Sequence, residues 1–239
     1  PQYWGYLLTG EMASDFSSLG CHTDLWNPIE GKPSALVGRL GIADKLVMPR
    51  QPFEVLGTLS PEIAAETGLA PDTPVSVGIH DSNASLLPYL LGHEAPFAVV
   101  STGTWVICMA VGGRSVSLDP ARDTLINVNA FGKAVPSARF MGGREFEIVS
   151  EGARVIPTEE DREAVLAAPV LPLPAVVESS GPFQGQVSSF TASPQSPARR
   201  HVALPWYFAL TTDPCLRLPG AEVPRIVNVP LSNHPSTST

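Results

Sequence analysis

An α/β fold is predicted for this chain of 239 residues, and two features of its pattern indicate that class. The first 75 residues are typical of helices joined by loops. From Pro74 onwards the hydrophobic period changes, and short β-branched segments bounded by Pro, Gly or His alternate with helical segments. The 44% hydrophobic content is ordinary for a globular protein and provides for one large core or two small ones.

The best-defined element of the first part is a helix that begins after Ser60. The hydroxyl of Ser60 suits an N-cap, Pro61 suits the first helical position, and Glu62 places an acid in the first turn. Gly68 is the residue expected to end this helix, because glycine adopts the left-handed conformation of a C-cap.

The middle of the chain predicts two buried strands, at 74–79 and 97–101, with a helix between them. That helix, at 82–92, contains Pro88 in its early part and has a glycine as its stop signal. The segment 104–111 continues as the return strand of a hairpin. We therefore expect a strand, helix and hairpin in succession.

Further strands are predicted at 124–131 and 134–141. A glycine pair opens a helix at 142–149, and Thr158 caps another at 158–168. The segment 188–200 is rich in Ser and Pro and is expected to be a flexible connection.

Composition excludes several classes of function. The net charge of -8 and the pI near 5.1 argue against nucleic-acid binding, which needs a basic patch. Cys21, Cys108 and Cys215 are odd in number and widely spaced, so they match neither a metal motif nor a disulfide framework, and a cytoplasmic location is expected. No apolar run approaches the roughly 18 residues of a membrane span, so no membrane partner is expected.

Asp81 is the first candidate functional residue, because it follows directly after an apolar segment and precedes a run of small residues. It could accept a proton in catalysis, or it could cap the following helix by accepting hydrogen bonds from Asn83 or Ala84. His80 is more commonly a structural histidine than a ligand at such a position. A metal site formed with His22, as in a metal-dependent hydrolase, is a further alternative, although its spacing matches no metalloenzyme motif.

The second candidate is the segment 101–104, Ser-Thr-Gly-Thr, which interrupts an apolar run. Gly and Thr are common in hairpin turns, but exposed amides at such a turn also form an anion-binding nest. Trp105 is expected to pack in the core. Asp15 is expected to be a loop acid that makes local hydrogen bonds with Ser17 and Ser18.

Together these segments resemble the FGGY family of carbohydrate kinases. The resemblance is carried by YWGYLLTGEMASDFSSLG at 3–20, LGTLSPEIAAETGLAPDTPVSVGIHDSNAS at 56–85 and VVSTGTWVI at 99–107. The forms HDSNAS and STGTW are similar to the branch of rhamnulokinases and fuculokinases. The resemblance implies an actin/hexokinase-like (ribonuclease H-like) ATPase fold.

The resemblance also implies roles for particular residues. Asp81 matches the family's catalytic base, while His80 and Ser82 match positions that contact the sugar. The family's hairpin that contacts the transferred phosphate is matched by Thr102, Gly103 and Thr104. The implied reaction is ATP-dependent phosphorylation of a ketose or deoxyketose, with Mg²⁺ bound mainly to the nucleotide phosphates. The resemblance does not identify the sugar and leaves room for homo-oligomers.

The match to the family is incomplete at both ends. Residues 1–75 correspond to the C-terminal part of the first kinase domain, and 76–239 to an incomplete second, FGGY C-terminal, domain. The family's first phosphate loop and its glycine-rich adenosine loop are missing, and the sequence opens without Met. We therefore interpret the chain as a fragment and expect it to have little or no kinase activity by itself. A non-catalytic sugar-binding or oligomerising remnant is the alternative.

The last predicted helix carries two prolines within its apolar pattern, Pro205 and Pro214. An interior proline costs about 3 kcal/mol, so we expect this helix to kink or fail. Frameshift, pseudogene drift or an incomplete reading of the gene would each explain such a sequence.

Overall fold

The structure, a computed structural model, describes residues 2–194, 196–222 and 226–230. Helices and strands are mixed along the chain, in agreement with the predicted α/β class. The helices are α1 (Gln2–Thr9), α2 (Phe16–His22), α3 (Ala35–Leu40), α4 (Pro61–Thr67), α5 (Asp81–Gly92), α6 (Gly142–Ser150), α7 (Glu159–Ala167) and α8 (Pro197–Arg217). Within the described residues, none of them combines the length and the apolar character needed to span a bilayer.

The strands that precede α5 are short, and those that follow it are longer. They are β1 (Ser14–Asp15), β2 (Trp26–Asn27), β3 (Lys32–Pro33), β4 (Pro49–Arg50), β5 (Val55–Thr58), β6 (Pro74–Ser76), β7 (Phe97–Thr102), β8 (Val106–Val111), β9 (Thr124–Val128), β10 (Ala134–Phe140) and β11 (Ile226–Pro230).

The chain divides into two compact units. The first comprises Pro1–His93 and Ile126–Val135, and the second comprises Glu94–Leu125 and Pro136–Thr239. These units are defined by packing, whereas the boundary predicted between residues 75 and 76 concerns family domains and stays a prediction.

The first unit contains α1 to α5 and small two-stranded sheets that pair β1 with β4, β2 with β3, and β5 with β6. The helix predicted after Ser60 is confirmed as α4. The Ser60 hydroxyl accepts a hydrogen bond from the Ile63 amide at 3.4 Å, and Gly68 ends the helix with φ at 72°. The prediction of a buried strand at 74–79 is wrong in part, because β6 is largely exposed and only Val77, just beyond it, is buried.

Helix α5 confirms the helix predicted before the hairpin but differs in detail. Pro88 lies well inside α5, not in its early part, and Gly92 is its last helical residue. The helix tolerates the proline because Leu86 and Asn83 on its inner face are buried and hold it in place.

The strands that follow α5 form a five-stranded sheet of order β11-β7-β8-β10-β9. Strands β7 and β8 form the predicted antiparallel hairpin, in which Phe97 lies opposite Val111 and Thr102 opposite Val106. Strand β10 continues the antiparallel pairing on β8, and β11 pairs with β7 in parallel. Every residue of β7 except Thr102 is buried, which fits the apolar run at 97–100.

Helix α8 packs on this sheet and closes the main core. The helix contributes Cys215 and Leu216, and the sheet contributes Ala98, Val100, Val106, Cys108, Ala138 and Phe140. Two of the three cysteines therefore belong to this core as free thiols.

Of the two outcomes predicted for the last helix, failure at Pro205 and Pro214 is wrong, because α8 runs from Pro197 to Arg217 without interruption, whereas a kink at these residues stays a prediction. The helix buries several apolar side chains, including Leu204 and Tyr207. Each such burial stabilises the fold by roughly 1.5–3 kcal/mol, which offsets a cost of about 3 kcal/mol for each proline.

The segment 188–200, predicted to be a flexible connection, is partly ordered. Phe190 forms a bridge with Pro172, and Pro197 is already the first residue of α8. The Ser196 hydroxyl caps this helix by accepting a hydrogen bond from the Arg199 amide at 3.2 Å. A proline at the first helical position after a serine cap is a helix start signal, which accounts for the difference.

Candidate functional site

Asp81 is the first residue of α5, directly after the N-cap residue His80. Its side chain is 93% exposed. The carboxylate oxygen Oδ1 accepts a hydrogen bond from the Ser82 amide at 2.6 Å and lies 3.5 Å from the Ser82 hydroxyl. A negative charge in the first turn of a helix is favoured by the helix dipole. Asp81 is therefore an accessible carboxylate in a locally defined position.

The contacts of the described residues do not include the predicted capping bonds from the Asn83 or Ala84 amide to Asp81. The Ala84 amide donates to the carbonyl oxygen of His80 at 2.8 Å, and Asn83 turns its side-chain amide to the sulphur of Cys21 at 3.2 Å. The bond from Ala84 to His80 is the ordinary backbone bond of the first helical turn, and the carboxylate of Asp81 accepts the amide of Ser82 instead.

His80 connects Asp81 to the interior of the first unit. Its side chain is only 14% exposed, and Nε2 lies 3.1 Å from Oδ1 of Asp81. Its amide donates a hydrogen bond to the hydroxyl of Ser17 at 2.9 Å. His80 thus anchors the residue before Asp81 through its backbone, and its imidazole ring lies next to the carboxylate of Asp81.

The local hydrogen bonds predicted for Asp15 are confirmed. Asp15 is the N-cap of α2, is fully buried, and accepts hydrogen bonds from the Ser18 amide at 2.9 Å and from the Ser17 hydroxyl. Its other oxygen accepts from the side-chain amide of Gln2 at 2.5 Å. Its position in a strand next to the helix, and not in a loop, was not predicted.

The second candidate segment forms the tip of the β7–β8 hairpin. Thr102 ends β7, Gly103 and the exposed Thr104 form the turn, and Trp105 leads into β8. The Gly103 amide donates to the carbonyl oxygen of Trp105 at 3.0 Å. Because this amide is already engaged, an anion at the turn would depend on other donors, which include the two threonine hydroxyls.

A cavity of about 200 Å³ opens beside this turn within the second unit. Its volume is smaller than the roughly 300–1,000 Å³ of a complete small-molecule pocket, so it would hold only part of a larger ligand. It is lined by the turn, by the start of α6 and by one face of α8: Thr102, Gly103, Val106, Gly142, Gly143, Phe146, Phe208 and Thr212.

Two contacts that hold the turn in place were not predicted from the sequence. Gly143 packs so closely that an added Cβ atom would lie 2.6 Å from the carbonyl oxygen of Gly103. On the other side, the guanidinium of Arg139 lies 4.6 Å from the ring centre of Trp105, and its Nε donates to Asp123 at 2.9 Å. Trp105 is half-buried under this cation and is not the core residue that we predicted.

Asp123 connects Arg139 to the loop that contains Gly181. Its second oxygen accepts a hydrogen bond from the Gly181 amide at 3.0 Å. Nearby, the hydroxyl of Ser180 accepts from the Met141 amide at 3.1 Å, just before α6 begins. A glycine pair after a strand and an arginine within that strand give a weak signal, since neither the stacking on Trp105 nor the loop contact is local in sequence.

A buried acid lies on the inner side of α6. Glu145 is 1% exposed, and its Oε1 accepts a hydrogen bond from the Val177 amide at 3.2 Å. Burial raises the pKa of this carboxyl group above its ordinary value, and the hydrogen bond from the Val177 amide offsets part of that rise. Burial raises the pKa of Tyr207 as well, with a smaller contribution from the charge of Glu145.

The candidate residues fall into two local groups. His80, Asp81 and Ser82 lie together in the first unit, whereas Thr102, Gly103 and Thr104 lie together in the second. Their assigned roles stay predictions. Among the described residues no cluster of three His, Cys, Asp or Glu side chains could hold a metal ion, and the side chain of His22 lies outside that description.

Comparison with known protein families gives a match over more than half of the chain. The model of the family described as carbohydrate kinase FGGY, C-terminal domain, matches residues 94–237. Comparison with curated proteins gave no match.

Solved structures resemble nearly the whole chain. A carbohydrate kinase from Novosphingobium aromaticivorans is 38% identical with a TM-score of 0.84, and the match covers 95% of this chain and 52% of that one. A xylulose kinase from Brucella ovis is 22% identical with a TM-score of 0.71, covering 96% and 50%. A xylulose kinase from Rhodospirillum rubrum is 22% identical with a TM-score of 0.65, covering 88% and 45%.

The chain therefore spans about half the length of the solved structures that it matches. The likeness in fold confirms the prediction of a partial actin/hexokinase-like architecture.

Proposed function

Because this chain belongs to the FGGY family of carbohydrate kinases, we propose that it supplies part of an ATP-dependent sugar kinase. The reaction would transfer the terminal phosphoryl group of ATP to a sugar hydroxyl. Catalysis of this kind depends mainly on positioning and on electrostatic stabilisation of the transferred group.

The observation that carries the proposal is the accessible carboxylate of Asp81. A general base must come within hydrogen-bond distance of the hydroxyl whose proton it accepts, so it has to be exposed. Asp81 is 93% exposed, and its contacts with His80 and Ser82 use only the oxygen Oδ1. The oxygen Oδ2 makes no hydrogen bond with the described residues and is the atom we assign to the sugar hydroxyl.

The Thr102–Thr104 turn would bind the transferred phosphate. The Gly103 amide is engaged with Trp105, so we assign the phosphate contacts mainly to the threonine hydroxyls. The cavity beside the turn would take the neighbouring part of the nucleotide. ATP is used with a divalent cation, and Mg²⁺ would be bound mainly by the phosphates and water, because Mg²⁺ retains several waters in such sites.

The substrate class is a ketose or deoxyketose. The resemblance of HDSNAS and STGTW to rhamnulokinases and fuculokinases supports a deoxyketose. In either case His80 and Ser82 would contact the sugar beside Asp81.

The test is turnover of ATP by the purified chain with a panel of ketoses, followed by ³¹P NMR of the sugar phosphate. Where the chain shows measurable turnover, loss of a general base should lower it by about 10²–10⁴-fold, and we expect this for Asp81→Asn. Asp72→Asn, which changes an exposed aspartate elsewhere in the first unit, is the matched control and should stay within twofold. Undiminished turnover by the Asp81 variant would contradict the proposal.

We expect little turnover by the 239-residue chain alone, since it spans about half the length of the kinases it resembles. Calorimetry with sugar and nucleotide, each added separately, then separates the remaining alternatives. Sugar binding that Asp81→Asn weakens, without nucleotide binding, would favour the non-catalytic sugar-binding module over the kinase.

A further inference from the structure

Asp15 makes more contacts than its capping role requires. A helix cap needs one acceptor for an amide, which Asp15 provides for Ser18 at 2.9 Å. The same carboxylate also accepts hydrogen bonds from the Gln2 side chain and the Ser17 hydroxyl. Both Asp15 and Ser17 are fully buried. Burial of a carboxylate is costly, so this set of contacts calls for an explanation beyond the cap.

The carboxylate determines which way the Ser17 hydroxyl points. An ionised carboxylate can only accept hydrogen bonds, so the hydroxyl proton of Ser17 is directed to Asp15. The oxygen of Ser17 is then left with its lone pairs for another donor. That donor is the amide of His80, at 2.9 Å.

His80 transmits this constraint to Asp81 in two ways. Its amide fixes the backbone of the residue directly before Asp81. Its ring nitrogen Nε2 lies 3.1 Å from Oδ1 of Asp81, whose side chain is otherwise exposed to solvent. A hydrogen-bonded chain thus runs from the buried carboxylate of Asp15 to the exposed carboxylate of Asp81 within the first unit.

From this series of hydrogen bonds we propose that Asp15 is a positioning residue for Asp81, acting through Ser17 and the backbone of His80. The inference rests on the proposed function, in which Asp81 is the base. Asp15 itself touches no reacting atom. Its effect would be to hold the start of α5 so that the Oδ2 atom of Asp81 stays directed to the sugar hydroxyl.

The experiment measures hydrogen exchange of individual amides by NMR in the full ¹⁵N-labelled chain. Two variants interrupt the chain of contacts, Asp15→Asn and Ser17→Ala. Ser18→Ala is the matched control, because the Ser18 hydroxyl makes no hydrogen bond with the described residues and its amide remains available for the cap. Asparagine at position 15 keeps an oxygen for that cap, which separates the charge of Asp15 from its capping contact.

We expect exchange at the His80 amide to accelerate at least tenfold in both variants, and to change by less than twofold in Ser18→Ala. The amide proton shift of His80 should move in the same two variants only. Unchanged exchange at His80, or an equal loss of protection throughout the first unit, would make Asp15 purely structural and overturn the proposal.

The outcome can be told apart from failure of the proposed function. Hydrogen exchange at the His80 amide needs no catalysis. It therefore tests the series of hydrogen bonds from Asp15 to Asp81 even if the protein turns over no ATP. If Asp81→Asn retains turnover, the assignment of the base fails whatever the exchange data give. Where turnover is measurable, Asp15→Asn should lower kcat at least tenfold and leave KM within threefold.

Discussion

The amide of Gly143 donates a hydrogen bond to the carbonyl oxygen of Thr104 at 3.1 Å, which joins the start of α6 to the tip of the β7–β8 hairpin. The backbones approach so closely that a Cβ atom on Gly143 would lie 2.8 Å from the Cα atom of Thr104. The turn that we assign to phosphate binding is therefore held by backbone contacts, which leave little freedom to adjust.

Gly143→Ala should disturb this turn. The added methyl would meet backbone atoms of Gly103 and Thr104, which cannot move aside as a flexible side chain can. Overpacking of this kind costs about 1–3 kcal/mol, and we expect that loss in the free energy of unfolding measured with urea.

Gly38→Ala provides the control for Gly143→Ala. Gly38 lies inside α3, and a Cβ atom added there would have no neighbouring atom within 4 Å. Alanine is favoured over glycine in a helix, so this variant should be neutral or more stable by up to about 1 kcal/mol. Equal effects of the two substitutions would contradict close packing at Gly143.

Arg139→Ala should destabilise the protein by about 1–2 kcal/mol. It removes a charged hydrogen bond to Asp123, which is 12% exposed, and the stacking of the guanidinium on Trp105. Arg144→Ala is the control, because its pair with Glu147 is exposed on both sides and such pairs contribute about 0–1 kcal/mol. Urea unfolding measures both variants, and the tryptophan fluorescence of the folded protein should change only in Arg139→Ala.

Glu145→Gln should become relatively more stable than the native protein as the pH rises. Burial raises the pKa of Glu145 in the folded state, so the folded protein binds this proton more tightly than the unfolded chain does. The resulting stabilisation is fully present below the unfolded pKa, about 4.3, and is lost as the pH rises through the folded value.

Thermal unfolding of both proteins between pH 4 and pH 8 checks this prediction. Glutamine is neutral throughout, and its oxygen can still accept the hydrogen bond from the Val177 amide. The difference in Tm should therefore move in favour of Glu145→Gln with increasing pH. A difference that stays constant would show that Glu145 has the same affinity for its proton in both states.

Pro205→Ala should stabilise α8 by roughly 1–3 kcal/mol. Pro205 is exposed and lies inside a continuous helix, where proline costs about 3 kcal/mol relative to alanine. Part of the gain, about 0.4–1 kcal/mol, is offset because proline also restricts the unfolded chain. Pro197→Ala, at the first helical position, should give no gain, since proline suits that position. Urea unfolding that finds Pro205→Ala less stable would contradict an unbroken helix.

Local signals in the sequence predicted much of the fold. The capping pattern from Ser60 to Gly68 depends on contacts within one helix, and the hairpin at Gly103 depends on neighbouring strands. The position of Asp81 at the start of a helix was likewise fixed by the change of pattern after the preceding segment. Such features need no information from distant parts of the chain.

The remaining features depend on contacts between distant residues. Nothing near Arg139 in the sequence indicates that it stacks on Trp105, and nothing near Ser17 indicates that it receives the amide of His80. The survival of α8 despite Pro205 was missed for the same reason. Propensity disfavours that helix, and only its packing on the sheet makes it stable.

The parallel pairing of β11 with β7 places Ile226 beside Ala98, so a buried strand finds one of its two partners near the far end of the chain. During synthesis on the ribosome, β7 would emerge long before β11 and would wait with one row of amides and carbonyls unpaired. Such an open edge is a template for aggregation, and pairing between distant segments folds slowly. Recombinant production should therefore benefit from low temperature and chaperones, and shortening the chain before residue 226 should give inclusion bodies.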